Sequence, residues 1–505
     1  MIRKIKETLP TLWSMCRSLY YTPLQDQHNT NKSPDTLVLV IVNVASYSRS
    51  HHRCRLQKAL GIYFKSCGLS AKAFDTLNAL GISMSQKWVY DGIYSLAQTS
   101  RISLLEDIAV LPFGGSYDNL NLYHSVYEQR LTNQSEFSSG TGATIYIIKD
   151  PAAIVPNKAD YLHKLAEGRQ NLISFKDIVR LDDAAGPCIH AQALHHILRF
   201  LVETPAFNFE SYLHKDSAIF DRPPPVLQLP TGPEHATCQY MLDTIPIDEG
   251  SYDGNERCMD EWMKQLNLDS YMERMKTSLE RIIPWLGDQL TTSRIRGLKK
   301  FHSHDLNGYE RLDHVLEHFG WFHAQIAEEH SIHNQYYGAT DSLGLKHAFD
   351  LLKRKGLHSP TVKGPFHQGL QDGLYIVAAG HFRDLWRLVG GAESLADLRD
   401  RTPEELYALA VRILDDYAST NALVRLRTRD IRNQDEVQIQ AVQFNRDILY
   451  YIELDDAMNT GDVGRMEDLL PRLLFRFTGG GSSNYTTELL ELIQAIHREW
   501  TPEVK

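Results

Sequence analysis

Apolar residues recur at helical spacing along most of this chain and alternate with polar ones in only a few places. Residues 36–108 carry helical patterns. In AKAFDTLNALGISMSQKWVYDGIYSLAQ two of them are broken at Gly81: Leu77, Leu80 and Ile82 precede a second run in which Trp88, Val89, Ile93 and Leu96 share one broad face. Apolar positions three and four apart line the face that an amphipathic helix buries. The pair suits a helix-turn-helix whose second helix reads DNA, or a plain helical hairpin, and that helix offers only Lys87 as a cation. From about residue 108 the period shortens. IAVLPFGGSYDNLNLY and TGATIYIIKD predict two strands joined by a long hairpin. ERIIPWLGDQLTT predicts a short buried strand ending in a polar turn, and LDHVLEHFGWFHAQIAEEHSIH a strand running into a helix.

Between these runs residues 151–280 are mixed and mostly helical, except DRPPPVLQLPTG, where prolines forbid helix. Residues 340–440 are helix-rich again. DQHNTNKSPD and SPTVKGPFHQG read as loops. Thr402, Pro403 and Glu405 form a helix start: a capping hydroxyl, a proline in the first turn and an acid three residues after the cap. The tail predicts a helix (FNRDILYYIELDDAMNTG), a Gly-rich turn (TGGGSSN) and a last helix (YTTELLELIQAIHREW).

A length of 505 residues gives about three domains as a prior. With 43% hydrophobic and 23% charged residues, a disordered or collagen-like chain is excluded. Lys+Arg 53 against Asp+Glu 63 gives a net charge of −10, which excludes a histone-like DNA coat but not a locally basic groove. No run reaches the ~18 apolar residues of a membrane span, and Thr36 to Ala45 is too short. MIRKIKETLPTLWSMCRSLYY lacks the continuous apolar region of a secretory signal and reads as an amphipathic helix. Six cysteines without a CxxC read as reduced thiols.

The P-loop, HExxH and GxSxG motifs are missing from the sequence. Two acids remain at predicted strand ends: Asp118 in YDNLN and Asp288 in PWLGDQLTT. On neighbouring strands, two such acids offer hard oxygen ligands to a divalent ion, and a third carboxylate from a helix would complete a two-metal site for phosphoryl transfer. Taken singly, each acid also suits a turn or a helix cap. His323 follows an apolar run; His330 and His333 share a helix face, and His190, His195 and His196 lie on another helix, as metal ligands or as ordinary core and surface histidines. Cations cluster at Arg294, Arg296, Lys299 and Lys300; at Lys353, Arg354 and Lys355; and at Arg425, Arg427, Arg429 and Arg432. The first cluster follows Asp288 closely enough to lead phosphate towards it, although a charge run is usually a solvated face.

Six segments in order — LNALGISMSQKWV, YDNLN, SGTGATIYII, WLGDQLTTSRIRGLKKF, FGWFHAQIAEEHSIHNQYYG and NTGDVGRMEDLLPRLLFRFTGGGSSNYTTELLELI — carry a resemblance. Over roughly residues 40–505 the chain resembles a functionally uncharacterised, mobile-element-linked family of fungal proteins, abundant in mushroom-forming fungi. That family looks like a divergent RNase H-like, DDE-type transposase. The resemblance implies an α/β protein, an RNase H-like mixed-sheet core with large helical insertions and a helical N-terminal region. Residues 1–107 would be that region; 108–335 the first part of the core, with an insertion near 151–280; 336–440 a second insertion; and 441–505 the helices completing the core. It implies metal-dependent DNA strand cleavage and transfer with Mg²⁺ or Mn²⁺, in the nucleus, without a membrane and with self-association open. Asp118 would be the first acid, Asp288 the second and Glu488 the third, with Glu467 as competitor and Asp462 behind it. The intervals, 288−118 = 170 and 488−288 = 200, call for insertions. Arg294, Arg296, Lys299, Lys300 and His323 would contact DNA. The rival expectation is a catalytically inactive, transposon-derived DNA-binding or interaction protein.

Overall fold

The computed structural model describes residues 1–22, 24–25, 33–124, 136–149, 156–338, 343–352 and 367–505. Most of the two loops read as DQHNTNKSPD and SPTVKGPFHQG, and the cations Lys353, Arg354 and Lys355, lie outside them. The chain divides into two units, Met1–Val110 and Leu111–Lys505.

The first unit is helical: α1 (Ile2–Thr8), α2 (Pro10–Tyr20), α3 (Pro34–Arg49), α4 (Arg55–Ser66), α5 (Ala71–Ala79) and α6 (Gln86–Val110). Trp13 and Cys16 of α2 pack on Val38 and Val42 of α3. Ser70 caps α5, and the turn into α6 passes through Gly81 at φ +70°, a left-handed conformation that favours glycine. The broad apolar face expected on α6 is not buried: Val89 is enclosed, whereas Ile93 and Leu96 are exposed. The packing is local, because a Cβ on Gly61 of α4 would stand 2.8 Å from the Val89 side chain.

The second unit is α/β, mostly helical around a small mixed sheet. Its elements are β1 (Phe113–His124), β2 (Glu136–Ile147), α7 (Lys158–Gln170), α8 (Phe175–Val202), β3 (Cys238–Met241), α9 (Tyr252–Gln265), α10 (Tyr271–Glu280), β4 (Ile283–Gly287), α11 (Gln289–Phe301), β5 (Val315–Phe319), α12 (Trp321–Tyr336), α13 (Leu345–Leu351), α14 (His367–Gly390), α15 (Pro403–Tyr417), α16 (Thr420–Arg427), α17 (Glu436–Thr460), α18 (Val463–Gly479) and α19 (Ser483–Gln494). The strand order is β3-β2-β1-β4-β5. β2 runs against both β1 and β3, while β4 runs parallel to β1 and β5 parallel to β4.

Alternation places Phe113 and Tyr117 of β1, Ala143, Ile145 and Ile147 of β2, and Ile283 and Trp285 of β4 in the core. Tyr117 meets Trp285 edge-on at 5.6 Å and faces Trp262 of α9 at 6.4 Å. Gly115 makes room for this: a Cβ there would lie 2.4 Å from the Trp285 ring.

Helices α8, α12, α13, α14, α15 and α17 share one apolar cluster, and α18 and α19 contribute to another. Leu194, Ile197 and Leu201 of α8 share a cluster with Leu374 and Phe382 of α14, Leu406 and Ile413 of α15, and Ile448 and Tyr451 of α17. The segments expected as two insertions therefore share one core, and α17 runs across the boundary expected at residue 440. The helix start at Thr402 is a full capping box, with Glu405 N–H donating to Thr402 Oγ1 at 3.3 Å and Thr402 N–H to Glu405 Oε2 at 2.8 Å.

Candidate functional site: carboxylates at the β1–β4 edge

β1 and β4 pair in parallel, Gly115 with Trp285 and Ser116 with Leu286. Both pairs differ by 170 in number, and the pairing stops there: Asp118 lies two residues further along β1, as the sixth of its twelve residues rather than at its end, and Asp288 two residues further on, just past the end of β4. Asp288 closes β4 and opens α11, whose N-terminus it caps: its Oδ1 accepts the Thr291 N–H at 2.7 Å. The positive end of the helix dipole favours negative charge there. Asp118 is exposed and accepts the Asn119 N–H at 2.8 Å, while Asp288 is half-buried.

A third acid joins them. Glu249, in the loop between β3 and α9, is 3% exposed. The Thr291 hydroxyl and the Asn119 N–H lie near its carboxyl and favour the anion. Thr291 thus acts on two acids, its amide bonded to Asp288 and its hydroxyl favouring the Glu249 anion. Burial, and then the negative charges of Asp118 and Asp288, push the Glu249 carboxyl up to about 7 against the opposing pull of Thr291 and Asn119. Its Oε2 has no partner among the described residues. The loop is tied down from behind: Thr141 Oγ1 donates to the Ile247 carbonyl at 2.6 Å, Tyr117 Oη donates to Asn255 Oδ1 at 2.7 Å, and Asn255 Nδ2 donates to the Glu249 carbonyl at 3.3 Å.

His323 borders this edge. The Gly320 N–H donates to the Gly287 carbonyl at 2.8 Å, joining the ends of β4 and β5. A Cβ on Gly320 would stand 3.4 Å from the His323 ring.

Glu488 is placed differently from the expectation. It is 2% exposed and held by Arg296 of α11 in a two-pronged pair, Nη1 to Oε1 at 3.1 Å and Nη2 to Oε2 at 2.6 Å. Its oxygens are committed to a guanidinium. Tyr485, one turn earlier on α19, feels both the Asp288 and the Glu488 charges, which together with burial raise its pKa. Glu467 lies on α18 among other groups, with the Lys505 cation opposing the upward push of burial. Asp462 caps that helix and also accepts the Val226 and Leu227 N–H groups, at 3.0 and 2.9 Å.

The basic track on α11 is turned inward. Arg294 lies over the Tyr252 ring at 4.5 Å and donates to the Gly250 carbonyl at 3.3 Å. Arg296 holds Glu488, and Lys299 donates to Glu317 at 2.6 Å and to the Val315 carbonyl at 2.7 Å. Lys300 is exposed.

Among the described residues one trio of potential ligands brings its atoms within 4.8 Å of one another, His196, Glu453 and Asp456. Arginines already fill it. Arg465 donates to Glu453 Oε1 and Oε2, both at 2.6 Å, and to Asp456 at 2.8 Å, and Arg222 grips Asp456 twice at 3.0 Å. A cation entering would meet fixed positive charge, so this cluster reads as a buried structural network.

Fold and site together define an α/β protein with a carboxylate edge where β1 meets β4. Residues 168–505 match a family described as a family of unknown function, DUF6589. The chain belongs to that family. The matched region includes Glu249, Asp288 and Glu488, while Asp118 precedes it. No curated protein and no solved structure matches the chain.

Proposed function

We propose that this protein is a transposase-like enzyme on an RNase H-like core, cleaving and transferring DNA strands with Mg²⁺ or Mn²⁺ held by Asp118 and Asp288. The observation that carries the reading is that each of these acids lies two residues beyond the last pair joining the parallel strands β1 and β4. Two features support it. The order β3-β2-β1-β4-β5, with the second strand alone reversed, is that of an RNase H-like sheet. Asp288 also lies just past the end of β4, beside β1, where the strand order switches direction, and the ends of parallel strands at such a switch are where ligands bind in open α/β sheets. A divalent ion bound there supplies positive charge where it builds on phosphate oxygens. The residues' part is to orient: the α11 amide fixes one Asp288 oxygen and leaves the other free, and the exposed Asp118 faces incoming substrate. Acting on chromosomal DNA, the protein would work in the nucleus.

Asp288→Asn tests this. Asn caps helices as well as Asp does, so the fold should survive. Asn supplies a carbonyl oxygen but no charge, and so holds a hard ion less well. Wild type should nick supercoiled DNA with Mg²⁺ or Mn²⁺, and the mutant, matched for folding by circular dichroism, should not. Equal activity in both would remove Asp288 from the mechanism.

A second reading is a catalytically inactive, transposon-derived binding protein. It is favoured by Glu488 being neutralised by Arg296 and by three of the α11 cations being used within the fold. No nicking by either protein would leave this reading standing.

A further inference from the structure

We propose that Glu249 is the third metal-holding carboxylate, in the role that the resemblance gives to Glu488, so that Asp118, Glu249 and Asp288 together take a hard divalent cation such as Mg²⁺ or Mn²⁺. This rests on the reading of Asp118 and Asp288 above.

The first argument compares buried acids. Among the described residues seven carboxylates are buried: Glu249, Glu328, Glu329, Asp447, Glu453, Asp462 and Glu488. Five have a basic partner. Arg476 lies on Glu328, His367 on Glu329, Arg446 on Asp447, Arg465 on Glu453 and Arg296 on Glu488. Asp462 accepts the Val226, Leu227 and Arg465 N–H groups instead. Glu249 has neither a basic partner nor a bond to its second oxygen, and the charges acting most strongly on it, Asp118 and Asp288, repel it. A buried carboxylate facing two more acids is stable as an anion only if positive charge joins the group.

The second argument is placement. Thr291 lies one helical turn after Asp288 and Asn119 follows Asp118, and both act on the Glu249 carboxyl, so Glu249 stands beside both sides of the β1–β4 edge. Its loop also lies hard against α9, since a Cβ on Gly254 would fall 1.9 Å from the Asp248 carbonyl oxygen. The acid is held in place before any ligand arrives, as a preorganised site requires. The three acids do not all bring oxygens within 4.8 Å of one another, so holding an ion together requires their side chains to close in.

The test is calorimetric titration of the full chain with Mn²⁺, and separately with Mg²⁺, for wild type, Glu249→Gln, Glu488→Gln and Asp288→Asn. Thermal unfolding without metal checks each fold, and Glu249→Gln should be at least as stable as wild type because an unpaired buried acid is gone. The expected result is Mn²⁺ affinity at least tenfold weaker in Glu249→Gln and in Asp288→Asn, and within twofold of wild type in Glu488→Gln. Mn²⁺ should raise the melting temperature of wild type and leave that of Glu249→Gln unmoved. Unchanged affinity in Glu249→Gln, with Asp288→Asn still weakened, overturns the role of Glu249 and leaves the Asp118–Asp288 reading intact. No Mn²⁺ binding by wild type overturns both.

Discussion

Arg296 and Glu488 show how one residue's partner decides its chemistry. An acid opening a helix after a Gly-rich turn fits a catalytic carboxylate in the sequence, and nothing local separates it from a structural one. The difference is a guanidinium 192 positions away. If the pair is structural, Arg296→Ala strands a charge in a site that is 2% exposed. Breaking a fully buried pair costs about 3–5 kcal/mol. Arg296 keeps 31% of its side-chain surface, so about 2–3 kcal/mol is expected in urea unfolding. Arg296→Met with Glu488→Leu should recover most of that loss, because the double change leaves no charge behind. Failure of the double variant to recover would give Glu488 a role other than as the partner of Arg296. Glu249 was illegible for the opposite reason. In IPIDEGSYDG it reads as a polar turn, and only the packing of that loop beside the middle of β1 and the start of α11 makes it a buried acid.

Among the elements, β1, β2, β4 and β5 were legible because alternation or a short apolar run ended in Gly, Asn or Asp. β3 was not. It has four residues, Cys238–Met241, half-buried alternating with exposed, too few for a periodic signal, and β2 recruits it as an edge strand. Helix α11 was legible as an element but not as a surface. Its cations look like a phosphate track in sequence, whereas the helix presents Arg294, Arg296 and Lys299 to Tyr252, Glu488 and Glu317. This sets an expectation for DNA binding. Lys300→Ala should lower the slope of log affinity against log salt by about 1, the value for one phosphate contact. Arg294→Ala, Arg296→Ala and Lys299→Ala should weaken the fold and leave the slope in place. A slope that falls by about 1 with each of the four would show that the inward pairs open when DNA binds.

At the scale of the molecule, the sheet and its helices bury titratable groups whose stability depends on pH. His314, just before β5, is 1% exposed and lies flat on Tyr309 at 4.9 Å. Burial, then repulsion from Lys158 of α7 and Lys299 of α11, pull its pKa down to about 3. His318 on β5 is pulled to about 4, and His195 on α8 to about 4, in both cases mainly by burial. An unfolded histidine titrates near 6.5. Between that value and the folded one, the unfolded chain binds protons that the folded chain refuses, so stability rises with pH across the window. The contribution is complete above about 6.5 and is lost as the pH falls towards about 3 for His314 and about 4 for the other two. Each such histidine costs about 1.4 kcal/mol per pH unit inside its window, so a fall from pH 7.5 to pH 5 removes about 2 kcal/mol through His314 alone. His314→Phe keeps a ring against Tyr309 and removes the proton site. Whatever its absolute stability, that variant should lose about 2 kcal/mol less than wild type over the same fall in pH, measured by urea unfolding at both ends. The comparison of slopes cancels any packing change the larger ring introduces. Equal losses in the two proteins would mean that His314 takes up its proton in the folded state as readily as in the unfolded one, and that burial beside Lys158 and Lys299 does not hold it neutral.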